Sequence, residues 1–156
     1  KKKLDKAIDN LVIEALKETQ IPNPEKVMER YPHELSGGMK QRVMIAQAIA
    51  CNPDLLIADE PTTALDVIVQ ARILDLIKEL QKRHKTSVLY ISHDLSLVRK
   101  ICDRVAVMFA GKIVETGNSD AIFKNPKHPY TKGLIRASFM THERGKLEEI
   151  EGVHFE

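Results

Sequence analysis

The sequence has no tryptophan, and its four phenylalanines and three tyrosines amount to only 4% of 156 residues. Stacking surfaces for single-stranded nucleic acid are therefore scarce. Cysteine is scarce too: Cys51 and Cys102 stand far apart with no C-x-x-C spacing. That excludes a disulfide framework and fits a reducing compartment. Both sit beside apolar segments, so each is expected to be buried as a small hydrophobe. The six histidines show no metal-ligand spacing. No run of about 18 apolar residues occurs, so no membrane-crossing helix is expected, and no signal peptide is read. The first residue is Lys and not Met, so the chain is expected to be a piece of something longer. One further absence bears on chemistry. The seven glycines are Gly37, Gly38, Gly111, Gly117, Gly133, Gly145 and Gly152. None belongs to a G-x-x-x-x-G-K-[ST] loop, so no such nest grips a β-phosphate and no Lys neutralises it.

What is present suits one packed domain. Hydrophobic residues at 43% and charged residues at 29% are ordinary for a globular chain, and the length can bury a real core. The net charge is +2, with the basic residues dispersed among 22 acids, so charge argues for no particular partner. Lys1-Lys2-Lys3 reads as a solvated helix start.

The chain is organised around Asp54-Leu55-Leu56-Ile57-Ala58-Asp59-Glu60. A short apolar run between Pro53 and Pro61 reads as a fully buried strand of a parallel sheet. Ligands of such sheets sit outside the carboxyl ends of the strands, where this run delivers two acids. One can hold a hard cation such as Mg²⁺, and the other can polarise a water.

The neighbouring elements follow from spacing. Leu4, Ile8, Leu11, Val12, Ala15 and Leu16 form one apolar stripe of a helix over 4–19. Asn23 is the expected N-cap of a short helix that has Pro24 in its first turn and runs to about Arg30. Tyr31-Pro32-His33-Glu34 is a loop. Ser36 caps the next helix, Gly37-Gly38 lets backbone approach a ligand, and the helix continues to about Cys51. Asp66 caps a long helix from Val67 to about Lys82, with Ile73, Leu76, Ile77 and Leu80 facing inward. Thr86–Ile91 is a second strand, which completes a βαβ unit. Asp94 caps a helix over Leu95–Ile101. Arg104–Phe109 and Lys112–Glu115 form a hairpin across Ala110-Gly111. A short helix follows over Ser119–Lys124, and a last one starts at His128-Pro129-Tyr130. Beyond about Met140 the tail is charged and is expected to be poorly ordered.

Four segments then stand in a telling order: Leu35-Ser36-Gly37-Gly38-Met39-Lys40-Gln41-Arg42, the Asp59-Glu60 strand, Thr63-Ala64-Leu65-Asp66, and Ile91-Ser92-His93-Asp94. The order resembles the ATP-binding-cassette (ABC) ATPases: signature loop, Walker B strand with its glutamate, D-loop and switch histidine. Met39 stands where many relatives have Gln. Tyr31-Pro32-His33-Glu34, Ala58–Asp66 and His128-Pro129-Tyr130-Thr131 narrow the resemblance to the oligopeptide/dipeptide (and nickel) importer branch.

The resemblance implies an α/β fold, part of a P-loop NTPase (RecA-like) core with parallel strands plus part of the ABC helical subdomain. Residues 1–50 would supply the helical part with the signature loop, 51–140 the core part, and 141–156 the charged tail. It implies ATP and Mg²⁺ as cofactors. Glu60 would be the catalytic base and His93 the γ-phosphate sensor. Ser36, Gly37, Gly38, Gln41 and Asp66 would meet the nucleotide of an opposite protomer, and Asp59 would hold Mg²⁺ through water. The implied partners are a second ATPase subunit, two membrane permeases and, indirectly, a solute-binding protein, with no nucleic acid. The implied location is the cytoplasmic face of the membrane. With no Walker A loop, the chain looks like the C-terminal half of such a domain and is expected to be inactive alone. Two other readings stand beside this one. One is an ABC ATPase acting on DNA or ribosomes, which the sparse aromatics and His-Pro-Tyr-Thr oppose. The other is a non-catalytic regulatory module, which the missing phosphate loop keeps open.

Overall fold

The structure, a computed structural model, describes residues 2–63 and 65–140. Ala64 of the D-loop segment and the charged tail over 141–156 lie outside the described residues. The backbone falls into two compact units, one running to Ile91 and the other starting at Ser92.

In the first unit, α1 (Lys2–Glu18) forms as its spacing predicts, but from Ile8 onward its apolar stripe is buried only near the last turn. Leu16 packs with Ile21, Val27 and Ala46, while Ile8, Leu11 and Val12 stay exposed. The next helix, α2, covers only Pro24–Val27, shorter than the expected run to Arg30. Asn23 does occupy its N-cap position, but with φ 51° and no side-chain hydrogen bond. It caps by turning the backbone left-handed, which asparagine tolerates better than most residues. Tyr31–Glu34 is not an open loop. Pro32–Glu34 is a turn of 3₁₀ helix, and α3 (Gly37–Ile49) follows it.

The strand β1 (Leu55–Asp59) pairs in parallel with β2 (Ser87–Ile91), with Ile57 opposite Leu89 and Asp59 opposite Ile91. Between them runs α4 (Val67–His84). Ile45 and Ile49 of α3 join Ile73, Leu76, Ile77 and Leu80 of α4 in one core, with Val88 of β2 packed against it. Burying each such side chain contributes about 1.5–3 kcal/mol.

The expectation of a fully buried β1 is corrected by the exposures. Ala58 is buried, but Leu55 and Ile57 are 52% and 60% exposed, and Leu89 and Ile91 share their open face. Alternating side chains place only half of each strand toward the α3–α4 core, and among the described residues nothing covers the other half. Cys51 is likewise exposed and not buried, and Cys102 is half-buried. The covered part of α3 ends at Ile49, so Cys51 lies beyond it.

The second unit begins with α5 (Leu95–Ile101). Strands β3 (Arg104–Phe109) and β4 (Lys112–Asn118) make the expected antiparallel hairpin. Ala110 and Gly111 both take positive φ, 46° and 74°, as the primed two-residue turns require. The second strand runs three residues past Glu115, carried by pairing to Arg104–Ala106. Helices α6 (Ser119–Lys124) and α7 (Pro129–Met140) close the unit over Val98, Val105, Val107, Ile122, Phe123 and Ile135. The Glu115 carboxylate accepts the N–H groups of Lys127 and His128 at 2.8 and 2.9 Å. The N–H of Tyr130 donates to Nδ1 of His128 at 3.1 Å, so a histidine side chain caps α7.

Candidate functional site

Ser36 has the extended backbone of an N-cap, and its Oγ accepts the N–H of Met39 at 3.3 Å. The first N–H groups of a helix have no partner inside it, and with the helix dipole they favour an anion. A second reason for the two glycines appears here. A Cβ on Gly37 would meet Cδ2 of Leu65 at 3.4 Å, and one on Gly38 would meet Cγ1 of Val69 at 2.8 Å. The small residues let the start of α3 lie directly against the segment that opens α4. The start of α3 and the residues Leu65 and Val69 are thus packed together within one unit. Asp66 caps α4 as expected, with Oδ1 accepting the N–H of Val69 at 2.9 Å.

At the end of β1, Asp59 is exposed and Glu60 half-buried. Glu60 takes φ 45°, and its N–H donates to the carbonyl of Ile91 at 3.0 Å. That bond carries the parallel pairing one residue beyond the strand. Its Oε2 accepts the hydroxyl of Thr63, which orients the carboxylate within the turn.

Sequence reasoning missed the support beneath this turn. Thr62 is only 4% exposed. Its hydroxyl accepts the amide of Gln70 at 3.1 Å and lies 3.4 Å from the hydroxyl of Tyr90. One buried threonine therefore ties the acid turn to α4 and to β2. Its only signal in the sequence was a polar residue set just after an apolar strand.

Gln41 is half-buried, and its side chain makes no hydrogen bond to another described residue. Arg42, beside it, has a structural task. Its Nη1 donates to the carbonyl of Thr19 at 2.7 Å and to Oε1 of Gln20 at 3.2 Å, tying α3 to the end of α1. Burial, and then the nearby Arg72, lower its pKa below the usual guanidinium value. A cleft of about 410 Å³ lies among Gln20, Arg42, Arg72, Asp75, Leu76 and Glu79 and includes none of the predicted site residues.

His93 belongs to the second unit and is exposed. Next to it, Asp94 caps α5 as expected: Oδ1 accepts the N–H groups of Ser96 and Leu97 at 2.9 and 3.3 Å, and the Ser96 hydroxyl at 2.6 Å. Burial works to raise the Asp94 pKa, but these hydrogen bonds and then His93 outweigh it and hold the carboxyl below its ordinary range.

Among the described residues no group of three or more His, Cys, Asp or Glu side chains is placed to hold a metal. The acids at the end of β1 are Asp59 and Glu60, and so few protein oxygens suit a hard cation that keeps several of its waters and takes phosphate oxygens.

A capped, glycine-lined helix start packed against the turn after an Asp-Glu strand end, on a parallel βαβ unit, is consistent with part of an ABC-type P-loop NTPase. The sequence comparisons agree. Residues 2–63 match the ABC transporter family model. Residues 114–154 match that of the oligopeptide/dipeptide transporter C-terminal region. Residues 2–63 thus belong to the ABC transporter family, and residues 114–154 to the oligopeptide/dipeptide transporter C-terminal region.

Its relatives carry matching names. The oligopeptide transport ATP-binding protein OppD of Bacillus subtilis is 57% identical over 141 residues, covering 90% of this chain and 39% of that protein. The dipeptide transport ATP-binding protein DppD of Haemophilus influenzae is 53% identical over 149 residues, 95% of this chain and 45% of its own length. The Escherichia coli dipeptide transport ATP-binding protein DppD is 51% identical over 142 residues, 90% and 43%. The chain thus spans less than half the length of these relatives.

Proposed function

We propose that this chain is the C-terminal part of an ATP-binding subunit that couples ATP binding and hydrolysis to the import of peptides across a membrane. The observation that supports it most is the packing of the Ser36-capped helix start against Leu65 and Val69, in the same unit as the Asp59–Glu60 strand end. Residues 1–50 serve as part of the helical subdomain and 51–140 as part of the ATPase core. The working partners are a second ATPase subunit and membrane permeases fed by a solute-binding protein, at the cytoplasmic face. Among the described residues no helix is long and apolar enough to cross a membrane.

Each residue then has a task. Ser36, Gly37 and Gly38 present α3's leading N–H groups to the γ-phosphate of a nucleotide held by the opposite protomer, with Gln41 one turn behind and Asp66 on the adjoining D-loop. Glu60, oriented by Thr63, accepts a proton from the attacking water. His93 senses the γ-phosphate. Mg²⁺, when bound near Asp59 through water, neutralises phosphate charge.

The test is Glu60→Gln in the full-length subunit. ATP binding should persist, while turnover falls about 100-fold or more, the scale of a lost general base. Near wild-type turnover in that variant overturns the assignment.

A further inference from the structure

Tyr31 is 69% exposed. Tyr90, Phe109, Phe123 and Tyr130, the other Tyr and Phe residues whose burial is described, are half-buried or buried. Its ring is nonetheless held in place. It stacks on His33 with ring centroids 5.7 Å apart and planes 8° from parallel. Pro32 fixes the backbone between them. The N–H of Tyr31 donates to the Glu34 carboxylate at 2.7 Å, and the N–H of Glu34 donates back to the Tyr31 carbonyl at 3.0 Å. This closed turn therefore orders two exposed rings and gains little burial in return. Neither ring makes a hydrogen bond to another described residue, so the Tyr hydroxyl and the imidazole nitrogens remain available to a ligand. Three residues after His33 comes the cap of α3, where an anion is favoured.

We propose that the Tyr31–His33 pair is a stacking platform for the base of the same nucleotide whose phosphates meet the start of α3. An ordered aromatic face beside an anion site matches a ligand that carries both an aromatic ring and phosphates. The platform rests on the nucleotide reading above, and it extends the contact from the phosphates to the base.

The experiment follows the amide and ring resonances of this chain during millimolar titrations with ATP and, separately, inorganic tripolyphosphate. Amides of Ser36–Met39 should move with both, and the Tyr31 and His33 rings with ATP alone. Tyr31→Ala should weaken ATP about tenfold, roughly one base-stacking contact, and leave tripolyphosphate unchanged. His33→Ala should act in the same direction, and Tyr31→Phe should retain binding. If the α3 amides move but the rings do not, and both ligands bind equally in every variant, the platform is overturned while the anion site stands. If the α3 amides respond to neither ligand, the nucleotide reading itself fails. If the rings instead respond only to a Pro-rich or aromatic peptide, the pair is a protein-docking surface and the platform is overturned.

Discussion

A side chain on Gly38 would collide with Val69: the first carbon alone would stand 2.8 Å from Cγ1. Valine is β-branched and stiff at χ1, so it yields poorly. Gly38→Ala should therefore destabilise the fold by about 1–3 kcal/mol, the usual range for overpacking. Adding Val69→Ala should recover most of that loss. Urea unfolding of the two single variants and the double variant measures the coupling. Additive effects would show that the glycine answers only to a ligand. Loss of activity in a Gly38 variant is thus interpretable only beside a Val69 control.

Asp94 predicts an acid limit. Its carboxyl is held below the ordinary range, because hydrogen bonds from Ser96 and Leu97, with His93, outweigh burial. A depressed pKa contributes stability that is complete above the unfolded value near about 3.9 and is lost as pH falls through the lower folded value. Asp94→Ala should cost about 1 kcal/mol at neutral pH, as for a lost N-cap. The gap between wild type and variant should close below about pH 4, in unfolding curves taken across that range. A gap that stays constant to lower pH would contradict the assignment.

The open face of the sheet makes a different prediction. Leu55, Ile57, Leu89 and Ile91 form an apolar patch on β1 and β2, and such patches seek cover. The chain alone should self-associate as its concentration rises, and Ile57→Lys should suppress this in sedimentation velocity. Because Ile57 is 60% exposed, the variant should change monomer stability by no more than about 0.5 kcal/mol. Ile73→Ala, at a fully buried site of the α3–α4 core, should cost about 2–5 kcal/mol.

The chain by itself should bind MgATP weakly and hydrolyse it at background rate. No residue in it forms the loop that grips a β-phosphate, and binding energy spent on phosphate is correspondingly small. Isothermal calorimetry showing micromolar affinity, or turnover that depends on Glu60, would refute this.

Local chemistry was legible wherever one residue decides one feature. Ser36, Asp66 and Asp94 each cap the helix that their position announced, and Ala110-Gly111 turns the hairpin. The βαβ unit was legible because four inward positions on α4 kept strict helical spacing. Burial was harder. An apolar run such as Leu55–Ala58 states what a strand would bury, not whether anything lies over it, so Ile57 was misjudged. Cys51 was misjudged for a similar reason, since its apolar neighbours belong to a helix whose covered part ends at Ile49. The contacts of Thr62 with Gln70 and Tyr90, and of Gly38 with Val69, join residues remote in sequence, and no local pattern encodes them.

Glu60 turns through φ 45°, a region where glycine is at ease and a long side chain is not. A library randomised at position 60 should thus sort in opposite directions. Selection for folding alone is expected to enrich Gly and Asn, which relieve the backbone. Selection for growth on peptides, if the carboxylate has the role proposed, is expected to retain Glu against that bias. The difference between the two enrichments measures how much conformational comfort the protein gives up to keep an acid at that corner.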